Sequence, residues 1–279
     1  MKKWTTLLAV ATLALGLAAC NETAAPVKDT NVTETSKLTL KEVYDKSLKV
    51  SEELKSVKAK IDMKQTMHLP AQDMNLDLSS LMDMEYVIEP MQMHQTGTTS
   101  MKSSDGSMEA QDIEIESYIT KDAFYMYEAQ SGQWMKFPKE MMDQLMNTTN
   151  QSNPTNQLKI IESYLDDFTF EQDNDNYILT LQASGEKFTD LVKTEMEDAL
   201  KSIDDEVNMD MTINSINYLI HIDKKSFHTN KVDVVFDMDM TINGEKRNIK
   251  QNVKSDFSNF NEVNEIVIPQ EVIDNAVSI

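Results

Sequence analysis

The longest alternation in this chain lies between Met74 and Ile88. Met74, Leu76, Leu78, Met82, Met84, Tyr86 and Ile88 fall on one parity; Asn75, Asp77, Asp83 and Glu85 fall on the other. Successive side chains of a β-strand point to opposite faces, so this spacing gives one apolar and one wet face. Such a strand belongs to an antiparallel sheet with one face in water. A chain built around it must either cover the apolar face or use it.

The same period recurs on both sides. Val57, Ala59, Ile61, Met63 and Met67 share a face, with lysines and Asp62 opposite. Strands are expected over Met91–Lys102 and Met108–Thr120, joined at Ser104-Asp105-Gly106, then over Phe124–Glu128 and Trp134–Phe137. Further on they are expected over Tyr177–Ala183, Val207–Ile222, Val232–Ile242 and Arg247–Phe257, with Ile266–Pro269 ending the sheet. Asn243-Gly244 is a strong signal for a two-residue hairpin turn. Helical spacing marks Leu40–Ser56, preceded by the capping-box phrase Thr39-Leu-Lys-Glu42. Three middle helices are expected, from Pro138 through Met146, over Leu158–Leu165 and over Gly185–Ile203. About nine to eleven strands, several of them long, form a sheet that curls. The expected fold is α+β: a large, strongly curved antiparallel half-barrel with helices covering its concave face.

The first residues carry an address. Lys2 and Lys3 precede an apolar run from Leu7 to Ala19, too short to span a bilayer, and the run ends in Leu17-Ala18-Ala19-Cys20. That ending resembles the bacterial lipobox. The resemblance implies a signal peptide over 1–19, lipidation of Cys20 and placement on the extracytoplasmic face of the cell membrane. Cys20 is the only cysteine, so no intramolecular disulfide can form, and thioether formation would account for a lone thiol. Residues 20–37 read as the lipidated cysteine and a flexible polar tether, and 38–279 as a single domain.

The chain carries 47 acidic against 26 basic residues, a net charge of −21; losing Lys2 and Lys3 makes it −23. That balance repels polyanions and argues against nucleic acid as a partner. The sequence has no nucleophile elbow, phosphate loop or metalloprotease helix, so the reading is of a non-enzymatic monomer without a cofactor.

Its 20 methionines are the unusual feature of composition, because methionine fills irregular apolar space and adapts to varied ligands. A ligand cavity is expected along Met74, Leu76, Leu78, Met82, Met84 and Tyr86, along Val234, Phe236, Met238 and Met240, and along a helix face with Phe188, Leu191, Val192 and Met196. Its occupant would be a lipid or another hydrophobic molecule. Two rival readings stand beside it: a sensing or scaffolding lipoprotein with a filled core, and a Cu(I) site built from Met82-x-Met84, Met91-x-Met93-His94, Met209-x-Met211 or Met238-x-Met240, since thioethers and imidazole suit that ion. Spacing two in a strand equally places both methionines on one buried face, so no metal is assigned.

The layout behind a lipobox resembles the LolA/LppX superfamily of lipid-carrying envelope proteins, half-barrels whose helices close an apolar cavity. Tyr218-Leu-Ile-His-Ile-Asp-Lys-Lys-Ser-Phe227, Phe257-Ser-Asn-Phe-Asn261 and Ile266-Val-Ile-Pro269 resemble phrases of an uncharacterised family of Gram-positive lipoproteins. These phrases punctuate a fold and transfer no functional residue.

Overall fold

A computed structural model describes residues 23–28, 31–33, 35–138, 154–184, 189 and 209–279. Cys20 and the helices expected at Pro138–Met146 and Gly185–Ile203, apart from Pro138 and Thr189 themselves, lie outside the described residues, and with them Phe188, Leu191, Val192 and Met196.

The chain opens with β1 (Ala25–Pro26) and α1 (Leu40–Glu52), then forms β2 (Ser56–Leu69), β3 (Met74–Val87), β4 (Gln92–Ser103), β5 (Gln111–Thr120), β6 (Phe124–Glu128) and β7 (Gln133–Phe137). Next come α2 (Pro154–Ile161), a 3-10 turn (Glu162–Asp167), β8 (Thr169–Gln172) and β9 (Asn176–Ala183). The last third holds β10 (Met209–Asp223), β11 (Thr229–Ile242), β12 (Glu245–Ser258), α3 (Gln270–Asn275) and β13 (Val277–Ser278). The 13 strands of the described residues join one sheet, in the order β1-β8-β9-β10-β11-β12-β2-β3-β4-β5-β6-β7-β13. The sheet is strongly curved and does not close. It is mixed rather than wholly antiparallel, because β1 lies parallel to β8 and β13 parallel to β7.

Local chemistry explains the boundaries. Thr39 accepts from the Glu42 N–H, and the Glu42 carboxylate accepts from the Thr39 N–H, which satisfies two orphan donors at the start of α1. Asn243 and Gly244 both take positive φ (51° and 86°), the backbone of a tight turn between β11 and β12.

Cross-strand register assigns the faces, since directly opposed residues share one. Ile249 of β12 faces Met67 of β2, which faces Leu76 of β3, which faces Ser103 of β4. One face, called inner here, therefore carries the odd residues of β12, β2, β4 and β5 and the even ones of β11 and β3. In β10 a bulge between Ile213 and Ser215 flips the parity, so Met211 and Ile213 point inward before it and Ile216, Tyr218 and Ile220 after it.

The main core lies at one end of the inner face. Leu40, Val43 and Tyr44 of α1, Leu158 and Ile161 of α2, and Leu165 and Phe168 pack on Leu179, Leu181, Ile213, Ile216, Ile220 and Ile222. Among the described residues the helical cover is limited to that end. The expected large, strongly curved sheet is present; among the described residues the architecture is mainly β with few helices, and most of the helices expected to cover the concave face lie outside those residues.

Two further expectations change. The tether read over 20–37 is docked over its described part: β1 pairs with β8, the buried Gln172 donates to Ala24 O at 2.6 Å and accepts from Ser36 N–H at 2.9 Å, and the Tyr177 hydroxyl donates to Ser36 Oγ at 2.7 Å. Ile266–Pro269 forms no strand. Ile266, Ile268 and Val272 instead fold over the outer face and pack on Tyr118, Tyr125 and Trp134.

Candidate functional site

The inner face continues beyond its packed end as an apolar strip across the middle of the sheet. Ile61 faces Met82, Met82 faces Gly97 and Gly97 faces Ile115; Met63 faces Ser80, Ser80 faces Thr99 and Thr99 faces Ile113. Ile61, Met63, Met74, Leu76, Leu78 and Met82 are only half-buried, and Met101 is 43% exposed. On these strands the apolar side chains are therefore in position but not in a filled core.

Gly97 sits at the centre of that strip. A Cβ there would lie 2.1 Å from Leu81 O and 2.8 Å from Met82 Sδ, so the missing side chain lets Met82 lie across β4. The Ser80 and Thr99 hydroxyls on the strip pair with each other at 2.8 Å. Gln65 and Gln251 face each other across β2 and β12.

The residues expected to line a cavity divide by surroundings. Met238 and Met240, each 5% exposed, are in the packed core, with Val234 and Phe236 partly buried against it. Met84 and Tyr86 pack with Met91, Met93, Ile119 and Phe124 in a second small cluster. Burial pushes the Tyr86 phenol up to about 12, and its hydroxyl reaches Met91 Sδ at 3.7 Å. Met74, Leu76, Leu78 and Met82 remain on the strip. Period-two reading of β4 to β7 would have added Ile113, Ile115, Met126 and Met135, which share this face by register.

The outer face has different chemistry. Its charges pair across strands: Lys60 with Asp83 at 3.4 Å, Lys102 with Asp77 at 3.8 Å, and Lys250 with Asp237 at 3.3 Å. An open groove of about 670 Å³ lies here, lined by Lys64, Asp77, Lys102, Asp237 and Lys250 and also by the apolar residues Leu78, Val235 and Phe236. Its charged groups are largely matched to each other, and Val235 (41% exposed) and nearby Leu81 (58% exposed) leave apolar surface on this face as well. Asp237 is held below the usual carboxylate range: burial raises it, but hydrogen bonds from Asn214, Asn248 and Lys250 outweigh that.

The copper phrase Met91-x-Met93-His94 does not assemble. Met93 points inward and is buried, whereas His94 lies on the outer face, stacked on Tyr118 at 4.3 Å and 3.2 Å from Glu116. Met82 with Met84 and Met238 with Met240 share the inner face as apolar packing.

Two solved structures resemble the chain at low similarity. LprF from Mycobacterium bovis has 11% identity and a TM-score of 0.42, covering 82% of this chain and 96% of that one. Lipovitellin, in a structure described by its lipid–protein interactions, has 9% identity and a TM-score of 0.33, covering 77% of this chain and 26% of that one. No curated protein matches. Residues 39–277 match DUF6612, a family of unknown function, and the chain belongs to that family.

Proposed function

We propose that this chain is a non-enzymatic lipoprotein, held to the extracytoplasmic face of the cell membrane through Cys20, that binds a hydrophobic ligand on its inner face. The observation that carries the proposal is the half-buried apolar strip across β2, β3, β4 and β5, directly behind a charged and ion-paired outer face. Contiguous exposed apolar surface on a folded chain marks a binding surface. Completing the burial of a side chain such as Leu78 or Met82 is worth at most about 1 kcal/mol, about a third of the full burial value. Several such residues in register supply a hydrophobic ligand with a worthwhile share of its affinity. Methionine keeps the surface adaptable to ligand shape. The lipobox ending at Cys20 and the superfamily resemblance support the same reading.

The test is a matched pair of substitutions read with an environment-sensitive hydrophobic dye. Met82→Glu with Ile115→Glu puts charge on the strip, and Asp83→Asn with Glu114→Gln alters the other face of the same strands. The proposal requires the first pair to abolish dye binding and the second to leave it unchanged. Equal effects from both pairs would refute it. Labelling with a palmitate analogue, lost in Cys20→Ser, tests the anchor separately.

A further inference from the structure

Strand charges are sorted by face. Lys58, Lys60, Lys64, Lys102, Lys231, Lys246, Lys250 and Lys254 all have outward parity. Among the described strands one cation breaks the rule. Arg247, the only arginine of the chain, has inward parity on β12, directly opposite Met240 and two residues before buried Ile249.

Its guanidinium is poorly satisfied there. Nη2 donates to Glu245 at 3.3 Å, a neighbour on the same strand whose side chain is 68% exposed, so the pair is a weak one. Nε is buried with no hydrogen-bond partner among the described residues, although the side chain as a whole is 31% exposed. A buried donor without an acceptor carries its full desolvation cost, which a protein tolerates where a partner arrives from outside. A guanidinium presents a planar fork that suits carboxylate or phosphate oxygens. Arg247 stands near the Asn243-Gly244 hairpin end of the inner face, and Ile249, Val253 and Phe257 continue inward along the same strand, with Gln251 and Ser255 between them. Hydrocarbon surface with one forked cation at its rim is the complement of an amphiphile with an anionic head.

We propose that Arg247 is the headgroup contact for an anionic amphiphile, a carboxylate or phosphate ester bearing hydrocarbon chains, seated along the inner face. This rests on the proposed hydrophobic-ligand function and gives that ligand its polar end. The chain's net charge of −21 repels free anions at long range, so selectivity for the head would depend on this local contact.

The experiment measures binding of three probes to the full chain by native mass spectrometry and dye displacement: palmitic acid, a phosphatidic acid and a diacylglycerol. The variants are Arg247→Gln, Arg247→Lys and, on the outer face, Lys250→Gln. The expected result is that Arg247→Gln weakens one or both anionic probes at least tenfold, about 1.4 kcal/mol, while diacylglycerol is unchanged. Arg247→Lys should recover part of the loss, which also separates a lost contact from a lost fold, and Lys250→Gln should match the parent. Comparing palmitic with phosphatidic acid decides between a carboxylate and a phosphate head. Unchanged anionic binding in Arg247→Gln, or an equal loss of diacylglycerol, overturns the assignment and leaves the hydrophobic-ligand reading intact. Failure of the parent to bind any of the three overturns both.

Discussion

Leu179 and Leu78 occupy the same face of the same sheet but differ in surroundings, and truncating each measures where the filled core ends. Leu179 on β9 is fully buried, at 0% exposure, in the cluster beneath α1 and α2. Leu179→Ala removes atoms from close-packed surroundings and leaves a cavity, so it should cost about 2–5 kcal/mol. Leu78 on β3 is half-buried, between Gln65 and Met101 in register. Leu78→Ala removes about two thirds or more of a transfer contribution of roughly 1.5–3 kcal/mol but opens no enclosed void, so its cost should be about 1–2 kcal/mol. Urea unfolding of the purified variants gives both values, with an unchanged m-value confirming that the comparison concerns stability alone. The predicted outcome is a difference of at least about 1 kcal/mol between the two sites. A Leu78→Ala cost equal to that of Leu179→Ala would show the middle of the inner face to be filled core, and the binding proposal would lose its premise.

Other consequences can be measured on the same protein. Gly97→Ala forces a Cβ against Leu81 O, a backbone atom that cannot swing away, and should cost about 1–3 kcal/mol in urea unfolding while lowering dye binding next to Met82. Gln172→Leu strands Ala24 O and the Ser36 N–H, so amide exchange over Ala25–Leu38 should accelerate at least tenfold without global unfolding; unchanged exchange would show that the strap docks by other contacts. His221 and His228 are held below the usual histidine value, each chiefly by burial, with Lys231 adding to the effect at His221 and Asp223 opposing it at His228. The native state therefore prefers neutral rings. Their contribution is fully present above the unfolded value of about 6.5 and is lost as pH falls below it toward the depressed folded values. Urea unfolding should show stability dropping through that window, and His221→Gln with His228→Gln should flatten the drop.

Much of the fold is written in local pattern. The Thr39–Glu42 box, the Asn243-Gly244 turn and the boundaries of β6 follow from short-range chemistry and appear as expected. What escaped depends on distant partners. Thr169–Gln172 is four residues long and carries too little alternation to announce β8. Polar composition made residues 21–37 look like tether, but Gln172, far along the chain, provides the socket that holds their described part. Ile266–Pro269 has the residue types of a strand. It became a cap because Tyr118, Tyr125 and Trp134 make the outer face apolar near β5 to β7, a reversal of the sheet's general rule. The bulge in β10 is written as a switch of apolar parity, odd through Met211 and Ile213 and even from Ile216 to Ile222, across Asn214-Ser215; reading one alternation over Val207–Ile222 passes over it, and the Asn214 amide hydrogen-bonds Asp237 and Asp239 there. The site was half legible. The parity of Met74 to Met82 marks the strip, but parity alone could not separate it from Met238 and Met240, whose packing depends on α1 and α2.

The central claim is that the inner face holds a hydrophobic ligand. Native mass spectrometry of the chain released gently from the membranes of the cells that make it, followed by solvent extraction of whatever it carries, tests this directly. A hydrophobic molecule should be found bound to the chain, and the Met82→Glu, Ile115→Glu pair should lose it. A chain that carries nothing and takes up no lipid when offered it would contradict the claim.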